Sequence, residues 1–305
     1  MATVMVGVAG VGVMGEHHTR IYSILDEAKL IGVYDFNEAR AREVAAKYGC
    51  DAYANLADLL NQVTALTVAS PTSTHYEVAL NCLKDGKHLL VEKPLAGNHK
   101  DAAQIVAEAK VYNCILASGM IERFNPAFQK AFSLAKNDKI LGIEFKRYSP
   151  FPARISDSSV VMDMMFHDID LALALARIRH TDIKASGRKV KTDRLDEAQA
   201  TIYFADGLIA KIEASRIKDE KKRHISITTD KAIYEVDLLA KRLFKREFET
   251  LTNRQEIEVK PDDQLTLELK DFLHAIDQGR SPRVPGESSL VPMEIAEEVE
   301  RLACL

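Results

Sequence analysis

Along the first 120 residues, short apolar runs alternate with amphipathic stretches. A short apolar run is typical of a buried strand, and a period near 3.6 is typical of a helix that lies on a sheet. The runs predict strands at Met5–Ala9, Lys29–Asp35, Ala65–Ala69, His88–Val91 and Ile115–Ser118. The stretches between them predict helices at Gly15–Leu25, Glu38–Tyr48, Leu56–Gln62, Thr74–Lys84 and Lys100–Tyr112. This alternation indicates an α/β domain with a doubly wound parallel sheet.

After residue 121 the pattern changes to longer strands that follow one another directly. They are predicted at Ile140–Ser149, Ala198–Phe204, Leu208–Arg216, His224–Thr229 and Ala232–Leu238. Hairpin turns are indicated at Ala205-Asp206-Gly207 and Thr229-Asp230-Lys231. Helices are predicted at Val160–Ile178, Leu265–Gln278 and Leu290–Leu305. This pattern describes an α+β domain with an open, mostly antiparallel sheet, so we expect two domains, residues 1–120 and 121–305.

Composition excludes several classes of protein. The chain has 305 residues, of which 47% are hydrophobic, and its net charge of −4 comes from interspersed acids and bases. Without a basic block, neither nucleic acid nor a membrane is an expected partner. The four cysteines lie far apart without a CxxC pair, so we expect no metal site and no disulfide. No apolar run approaches the roughly 18 residues of a membrane span, and we expect a cytoplasmic protein.

A glycine-rich turn follows the first predicted strand and opens the first predicted helix. It has the GxGxxG pattern, and Asp35 stands at the end of the next strand, which is the context of a dinucleotide-binding fingerprint. Gly10 would allow the tight turn, Gly12 the approach of a pyrophosphate, and Gly15 close packing of helix on strand. The alternative is a glycine-rich turn that binds nothing. The residues predicted to bind the dinucleotide here are Gly10, Val11, Gly12, Val13, Met14 and Asp35.

Asp35 bears on the choice of cofactor. A carboxylate at this position accepts hydrogen bonds from the adenosine ribose and repels the additional phosphate of NADP, which favours NAD. Arg40 and Arg42 can in principle reach such a phosphate, but a solvated face of their charged helix is the favoured interpretation. We therefore expect NAD, with NADP as the alternative.

Polar residues also follow two further strands of this domain. Because ligands of such sheets bind at the carboxyl ends of the strands, these residues are expected to line the cofactor. They are Ser70, Pro71, Thr72, His75, Glu92 and Lys93. Pro94 cannot continue a central strand, so the chain must turn at Lys93. A lysine there can hydrogen-bond a reacting hydroxyl and stabilise its developing charge, although a solvated lysine is the usual alternative.

In the second domain, a predicted helix carries a polar stripe among apolar residues. Asp163, His167 and Asp170 are spaced i, i+4 and i+7 and fall on one helix face. Such a stripe is either a buried hydrogen-bonded cluster or a site. A histidine exchanges protons near neutral pH, and a nearby carboxylate can orient it. Oxidation of an alcohol by hydride transfer needs such a base.

These segments, in this order, resemble those of the Gfo/Idh/MocA dehydrogenases. The matching pieces are the glycine turn, Asp35, Pro71-Thr72 with His75, Glu92-Lys93-Pro94, and the Asp163-x-x-x-His167-Asp168 helix. The resemblance implies a Rossmann domain followed by an open-sheet domain, with chemistry in the cleft between them. It also implies a catalytic trio: His167 as acid/base, Lys93 as ligand of the substrate hydroxyl, and Asp163 as the orienting carboxylate.

Two short segments bear on the substrate. Ile121–Pro126 and Ser149–Ile155 resemble the branch of the family that oxidises the 3-hydroxyl of UDP-N-acetylglucosamine. Arginine pairs well with a diphosphate, and asparagine can read a hydroxyl or acetamido group. The expected substrate-binding residues are Lys93, Arg123, Asn125, Arg154, Asp163 and His167. For Arg123 the alternative is an ion pair with a neighbouring acid.

Two other functions stay open from the sequence. One is a dehydrogenase of a free sugar or an inositol, and the other is a catalytically silent NAD-binding regulatory or assembly subunit. The intact Lys93, Asp163 and His167 argue against the silent subunit. A homodimer or homotetramer is also expected, because an uncovered apolar face of an open sheet invites a partner.

Overall fold

The computed structural model describes residues 3–151, 158–248 and 254–304. The chain forms two compact units. The first contains the residues up to Ile121 together with Leu265–Leu290, and the second contains Glu122–Gln264 and the residues from Val291 onward. Among the helices of these described ranges, none is long and apolar enough to cross a membrane.

The first unit holds a parallel sheet of six strands with the order β3-β2-β1-β4-β5-β6. The strands are β1 (Val4–Ala9), β2 (Ala28–Tyr34), β3 (Asp51–Tyr53), β4 (Ala65–Val68), β5 (His88–Glu92) and β6 (Leu116–Gly119). The helices are α1 (Val13–Tyr22), α2 (Glu38–Tyr48), α3 (Leu56–Leu60), α4 (Thr72–Lys84) and α5 (His99–Val111). The order reverses between β1 and β4, where such sheets open a crevice for ligands. The predicted doubly wound sheet is confirmed.

The second unit holds a sheet of eight strands with the order β14-β13-β12-β11-β7-β10-β9-β8. Its strands are β7 (Ile140–Tyr148), β8 (His180–Arg188), β9 (Glu197–Phe204), β10 (Ile209–Ser215), β11 (Lys222–Thr229), β12 (Ala232–Asp237), β13 (Arg242–Glu247) and β14 (Gln255–Ile257). Only β7 and β10 pair in parallel among the described strands of this sheet. The predicted open, mostly antiparallel sheet is therefore confirmed.

Both predicted hairpin turns are present in the second sheet. Gly207 has a φ of 88° between β9 and β10, a conformation that favours glycine. Between β11 and β12, the hydroxyl of Thr229 accepts hydrogen bonds from the main-chain N–H groups of Lys231 and Ala232. Two helices lie on this sheet: α6 (Pro126–Ala135) beside β12 and β13, and α7 (Phe166–Ala176) beside β7 and β10.

The alternation of side chains gives the second sheet one buried and one open face. Phe145 and Ile212 are buried, whereas the neighbouring Lys146 and Lys211 are exposed. The open face was expected to be apolar, but its central strands place charged and polar residues there. The reason is the period of two, which sends most apolar residues of the central strands to the helix-covered side. The expected homo-oligomer stays a prediction.

The last part of the chain returns to the first unit. Helix α8 (Gln264–Gln278) contributes Leu265, Leu269 and Phe272 to the same apolar core as the valines of β1. The sequence interpretation assigned every residue after 120 to the second domain, and the structure differs here. An amphipathic helix buries its apolar face on whichever core is available, and sequence order does not decide which. The final helix, α9 (Leu290–Ala303), belongs from Val291 onward to the second unit.

Candidate functional site

The three glycines of the turn between β1 and α1 have different surroundings. Gly10 has a φ of 85°, and a Cβ there would lie 2.4 Å from the main-chain nitrogen of Ser70. A Cβ on Gly15 would lie 1.8 Å from the carbonyl oxygen of Gly10, so α1 packs directly on the turn. A Cβ on Gly12 would meet no described atom within 4 Å. Gly10 and Gly15 are thus needed for packing, and Gly12 borders open space.

The amino end of α1 faces that open space. Gly12 is the N-cap residue, and no side chain of the described residues caps it. The first N–H groups of a helix have no partner within the helix, and the helix dipole places partial positive charge there. Val11 is buried, Val13 is exposed and Met14 is half-buried around this end. The residues present therefore fit the predicted binding of a dinucleotide at this helix end.

Asp35 lies directly after β2 and beside the same turn. Its carboxylate accepts hydrogen bonds from the main-chain N–H groups of Val11, at 2.7 Å, and of Asn37, at 2.9 Å. These bonds hold the carboxylate at the turn and leave lone pairs for further donors, such as ribose hydroxyls. Its placement agrees with the predicted role.

Arg40 was the candidate partner for an additional phosphate, but its guanidinium is already engaged. It donates to the carbonyl oxygen of Val11 at 3.0 Å and pairs with Glu16 and Glu43. Hydrogen bonds from Lys47 and Arg40 lower the pKa of Glu16 to about 2, so this acid is ionised at neutral pH. An ion-paired Arg40 offers little to a phosphate.

His75 joins the loops that follow β4 and β5. It is buried, and its ring nitrogens lie 2.8 Å from the carbonyl oxygen of Ser70 and 3.0 Å from that of Pro94. Burial lowers the pKa of His75 more than these two carbonyl contacts raise it. The prediction made His75 a cofactor ligand. The structure corrects this, because a buried ring held between two main-chain carbonyls positions the loops instead.

The side chain of Glu92 also points inward. One carboxylate oxygen lies 2.9 Å from Nε2 of His18, and the other accepts the main-chain N–H of Lys93 at 3.2 Å. Burial alone would raise the pKa of Glu92, but the hydrogen bond from His18 and the nearby positive charge of Lys93 lower it. Glu92 was predicted to bind cofactor. Instead, Glu92 is buried and binds the main-chain N–H of Lys93, and Lys93 itself is partly exposed directly after β5.

In the second unit, Asp163 and His167 lie on one helical segment. The helix predicted over Val160–Ile178 begins with a π turn, Val161–Met165, and continues as α7. Asp163 lies in the π turn and His167 in the first turn of α7, and both are half-buried. The prediction assumed the i, i+4 spacing of an uninterrupted α-helix. The wider π turn replaces that spacing, and such turns are frequent at functional sites.

The third member of the stripe has a structural partner. Asp170 receives two hydrogen bonds from Arg123, at 2.7 and 2.8 Å. In the same way Asp168 receives two from Arg147, at 2.9 and 2.7 Å, and Arg147 also pairs with Glu122. Arg123 was a candidate for the substrate diphosphate. The observed pair is the alternative that the sequence left open, and it engages two of the guanidinium nitrogens.

Asn125 is fully buried in the second unit. Its side-chain oxygen caps α6 by accepting the N–H of Ala127, and its amide donates to the carbonyl oxygen of Leu238 at 3.0 Å and to Gln264 at 3.1 Å. The prediction that Asn125 reads a substrate group is corrected, because its hydrogen-bonding groups are used inside the unit. Arg154, the other candidate, lies outside the described residues.

Both units of the chain are similar to known proteins. Residues 4–120 match the model of the Gfo/Idh/MocA oxidoreductase family with an NAD-binding Rossmann fold, and residues 142–235 match the Gfo/Idh/MocA C-terminal domain. A UDP-N-acetylglucosamine 3-dehydrogenase from Acidithiobacillus ferrooxidans is 34% identical over 88% of each chain. The chain belongs to the Gfo/Idh/MocA family. The predicted resemblance is thereby confirmed, and the protein is an oxidoreductase with an NAD-binding domain.

Individual relatives of this Gfo/Idh/MocA protein differ in the substrate that their names record. A solved structure of the Acidithiobacillus ferrooxidans enzyme superposes with a TM-score of 0.94 at 33% identity, covering 99% of this chain and 98% of that chain. A myo-inositol 2-dehydrogenase from Thermotoga maritima is 31% identical over 69% of this chain and 68% of its own.

Proposed function

We propose that this protein oxidises a secondary hydroxyl of a nucleotide sugar with NAD, and that the substrate is UDP-N-acetylglucosamine, oxidised at its 3-hydroxyl. The observation that carries the proposal is the similarity to the Acidithiobacillus ferrooxidans enzyme, which includes both units at 34% identity over 88% of each chain.

The proposed chemistry uses residues of both units. NAD, when bound, accepts a hydride from the carbon that bears the hydroxyl. His167 takes the hydroxyl proton as general base, and Asp163 orients its imidazole. Lys93 donates a hydrogen bond to the hydroxyl oxygen and stabilises the negative charge that develops as the proton leaves.

NAD is the proposed cofactor in preference to NADP. The carboxylate of Asp35 stands where the adenosine ribose would lie, and it would repel a phosphate. Arg40, which donates to the carbonyl oxygen of Val11 in the same turn, is held by Glu16 and Glu43. A site with the carboxylate of Asp35 and an arginine that is already ion-paired favours the cofactor without the additional phosphate.

The second candidate substrate is an inositol, because the Thermotoga maritima relative is named for one. A panel of substrates separates the candidates. Purified protein is mixed with NAD and UDP-N-acetylglucosamine, free glucose or myo-inositol, and NADH formation is followed by absorbance. We expect a rate with the nucleotide sugar only. A rate with myo-inositol or glucose alone would support the second candidate, and no rate despite NAD binding would indicate the silent subunit.

Variants test the assigned roles. Replacement of Lys93 or His167 by alanine should lower kcat by about 10²- to 10⁴-fold, the usual contribution of such groups. The stabilisation of the protein by NAD should persist, because neither side chain is assigned to hold the dinucleotide tightly. His180→Ala, on β8 of the second unit, is the matched control. Near-normal turnover in both the Lys93 and the His167 variants would contradict the proposed mechanism.

A further inference from the structure

Three ionisable side chains from distant parts of the chain meet inside the first unit. His18 comes from α1, Glu92 from the end of β5, and Glu268 from α8. All three are buried, and one nitrogen or oxygen atom of each lies within 4.8 Å of the others. Neither the cofactor turn nor the proposed chemistry uses Glu268 or His18, so the cluster needs its own explanation.

Only part of the cluster is hydrogen-bonded. Nε2 of His18 contacts Glu92, whose other oxygen holds the main-chain N–H of Lys93. Nδ1 of His18 and both carboxyl oxygens of Glu268 find no hydrogen-bond partner among the described residues, although they are buried. A buried polar atom without a partner costs about 1–3 kcal/mol, and more when it is charged. Because one atom of each side chain lies within 4.8 Å of the others, a rotation of the Glu268 carboxyl can bring unsatisfied atoms together.

The charges indicate which group carries the proton. Two buried carboxylates at this separation cannot both be ionised without a large penalty. Glu92 has two donors, from His18 and from Lys93, and is the ionised member. Glu268 has none, and its burial, together with the charges of Glu92 and Asp271, raises its pKa well above the ordinary value. Glu268 is thus the member that holds a proton.

We propose a buried relay that a rotation of the Glu268 carboxyl completes: its protonated oxygen donates to Nδ1 of His18, Nε2–H of His18 donates to Glu92, and Glu92 holds the main-chain N–H of Lys93. Nδ1 of His18 and one oxygen of Glu268 then have a partner, and the relay carries a single negative charge, on Glu92. Glu268 and His18 are positioning residues, because they act on Lys93 through Glu92. This part of the inference rests on the proposed function of Lys93.

Infrared spectroscopy of the full-length protein at neutral pH tests the relay directly. An un-ionised carboxylic acid has a carbonyl stretch distinct from that of a carboxylate. The difference between wild type and Glu268→Gln should contain this acid band. The difference between wild type and Glu77→Gln should not, because Glu77 is an exposed residue of α4 in the same unit. Absence of the acid band from the first difference would overturn the proposal.

Two further measurements keep the test decisive. In wild type alone, the acid band should persist well above the pH at which ordinary carboxyl groups ionise. The groups that face Glu268 are His18 and Tyr22 from α1, Glu92 from β5 and Asp271 from its own helix. Loss of all acid bands at ordinary carboxyl pH would refute the relay. A divalent metal in the cluster would also refute the relay. Elemental analysis after dialysis against Mn²⁺ or Zn²⁺ would then find stoichiometric metal in wild type and none in Glu268→Gln.

Turnover provides the test of positioning. Glu268→Leu cannot donate to His18 and should lower kcat by about 10- to 100-fold, the range expected when a reacting group is misplaced by about 1 Å. Glu268→Gln retains a donor and should recover most of that loss. Equal kcat values in the two variants would refute the positioning role. The infrared result needs neither cofactor nor substrate, so its failure is separable from failure of the proposed function.

Discussion

Alanine substitutions in the glycine turn should separate cofactor binding from folding. At Gly12 the new Cβ would meet no described atom within 4 Å, so the cofactor-free protein should lose little stability. Two small effects oppose each other there. Alanine is a poorer N-cap than glycine, but it also reduces the entropy of the unfolded chain, and each effect is within about 1 kcal/mol. Gly12→Ala should therefore fold with a nearly unchanged Tm.

Binding of NAD should respond differently. A methyl group at Gly12 occupies the approach of the pyrophosphate to the amino end of α1. Loss of one charge-assisted hydrogen bond costs about 1.5–3 kcal/mol, which raises Kd about 10- to 100-fold. At NAD near 100 times the wild-type Kd, wild type gains about 2.7 kcal/mol, and a variant with a 100-fold higher Kd gains about 0.4 kcal/mol. At roughly 2–4 °C per kcal/mol, the shifts in Tm are about 5–10 °C and about 1–2 °C.

Gly15→Ala is the matched comparison. Its Cβ would lie 1.8 Å from the carbonyl oxygen of Gly10, so α1 must move away from the turn. Such overpacking costs about 1–3 kcal/mol or more, and the Tm should fall even without cofactor. Thermal unfolding of the three proteins with and without NAD measures both effects. A full NAD shift in Gly12→Ala would refute the placement of the pyrophosphate, and an equal loss of Tm in both variants would refute the role assigned to Gly12.

Two further predictions concern charge. Asp35→Ser should lower kcat/KM with NAD by about tenfold, the effect of one hydrogen bond to a charged group. Its kcat/KM with NADP should rise, and should rise further when Glu16→Gln removes one of the two acids that pair with Arg40. The ratio of kcat/KM for the two cofactors measures this, and a wild-type preference for NADP would contradict it. In the second unit, burial would raise the pKa of Asp196, but main-chain N–H groups and the buried Arg216 lower it below the ordinary value. Its contribution to stability is therefore complete above pH ~4 and falls as the pH drops below that. Asp196→Asn should flatten the acid side of the Tm–pH curve, and an unchanged curve would refute this assignment.

Several features of the fold were not predicted, and for one of them a signal was present. Asn125 and Pro126 form a typical helix start, an N-cap followed by proline at the first helical position, yet α6 was not predicted. The short strands β3 and β14 have three residues each and are largely exposed, so they lack the apolar run on which the prediction depends. Local chemistry was sufficient for α6, whereas pairing with a neighbouring strand defines β3 and β14.

The sequence by itself determined the features that depend on neighbouring residues. The glycine turn with Asp35, the alternation of strand and helix, and the hairpin turn at Gly207 each follow from local backbone geometry and side-chain period. Tertiary structure decided what depends on residues far apart in the chain. It returned Leu265–Leu290 to the first unit, engaged Asn125 and Arg123 inside the second, and brought Glu268 to His18 and Glu92. Packing and burial select such partners by the free energy of the whole core, and spacing along the chain does not encode that choice.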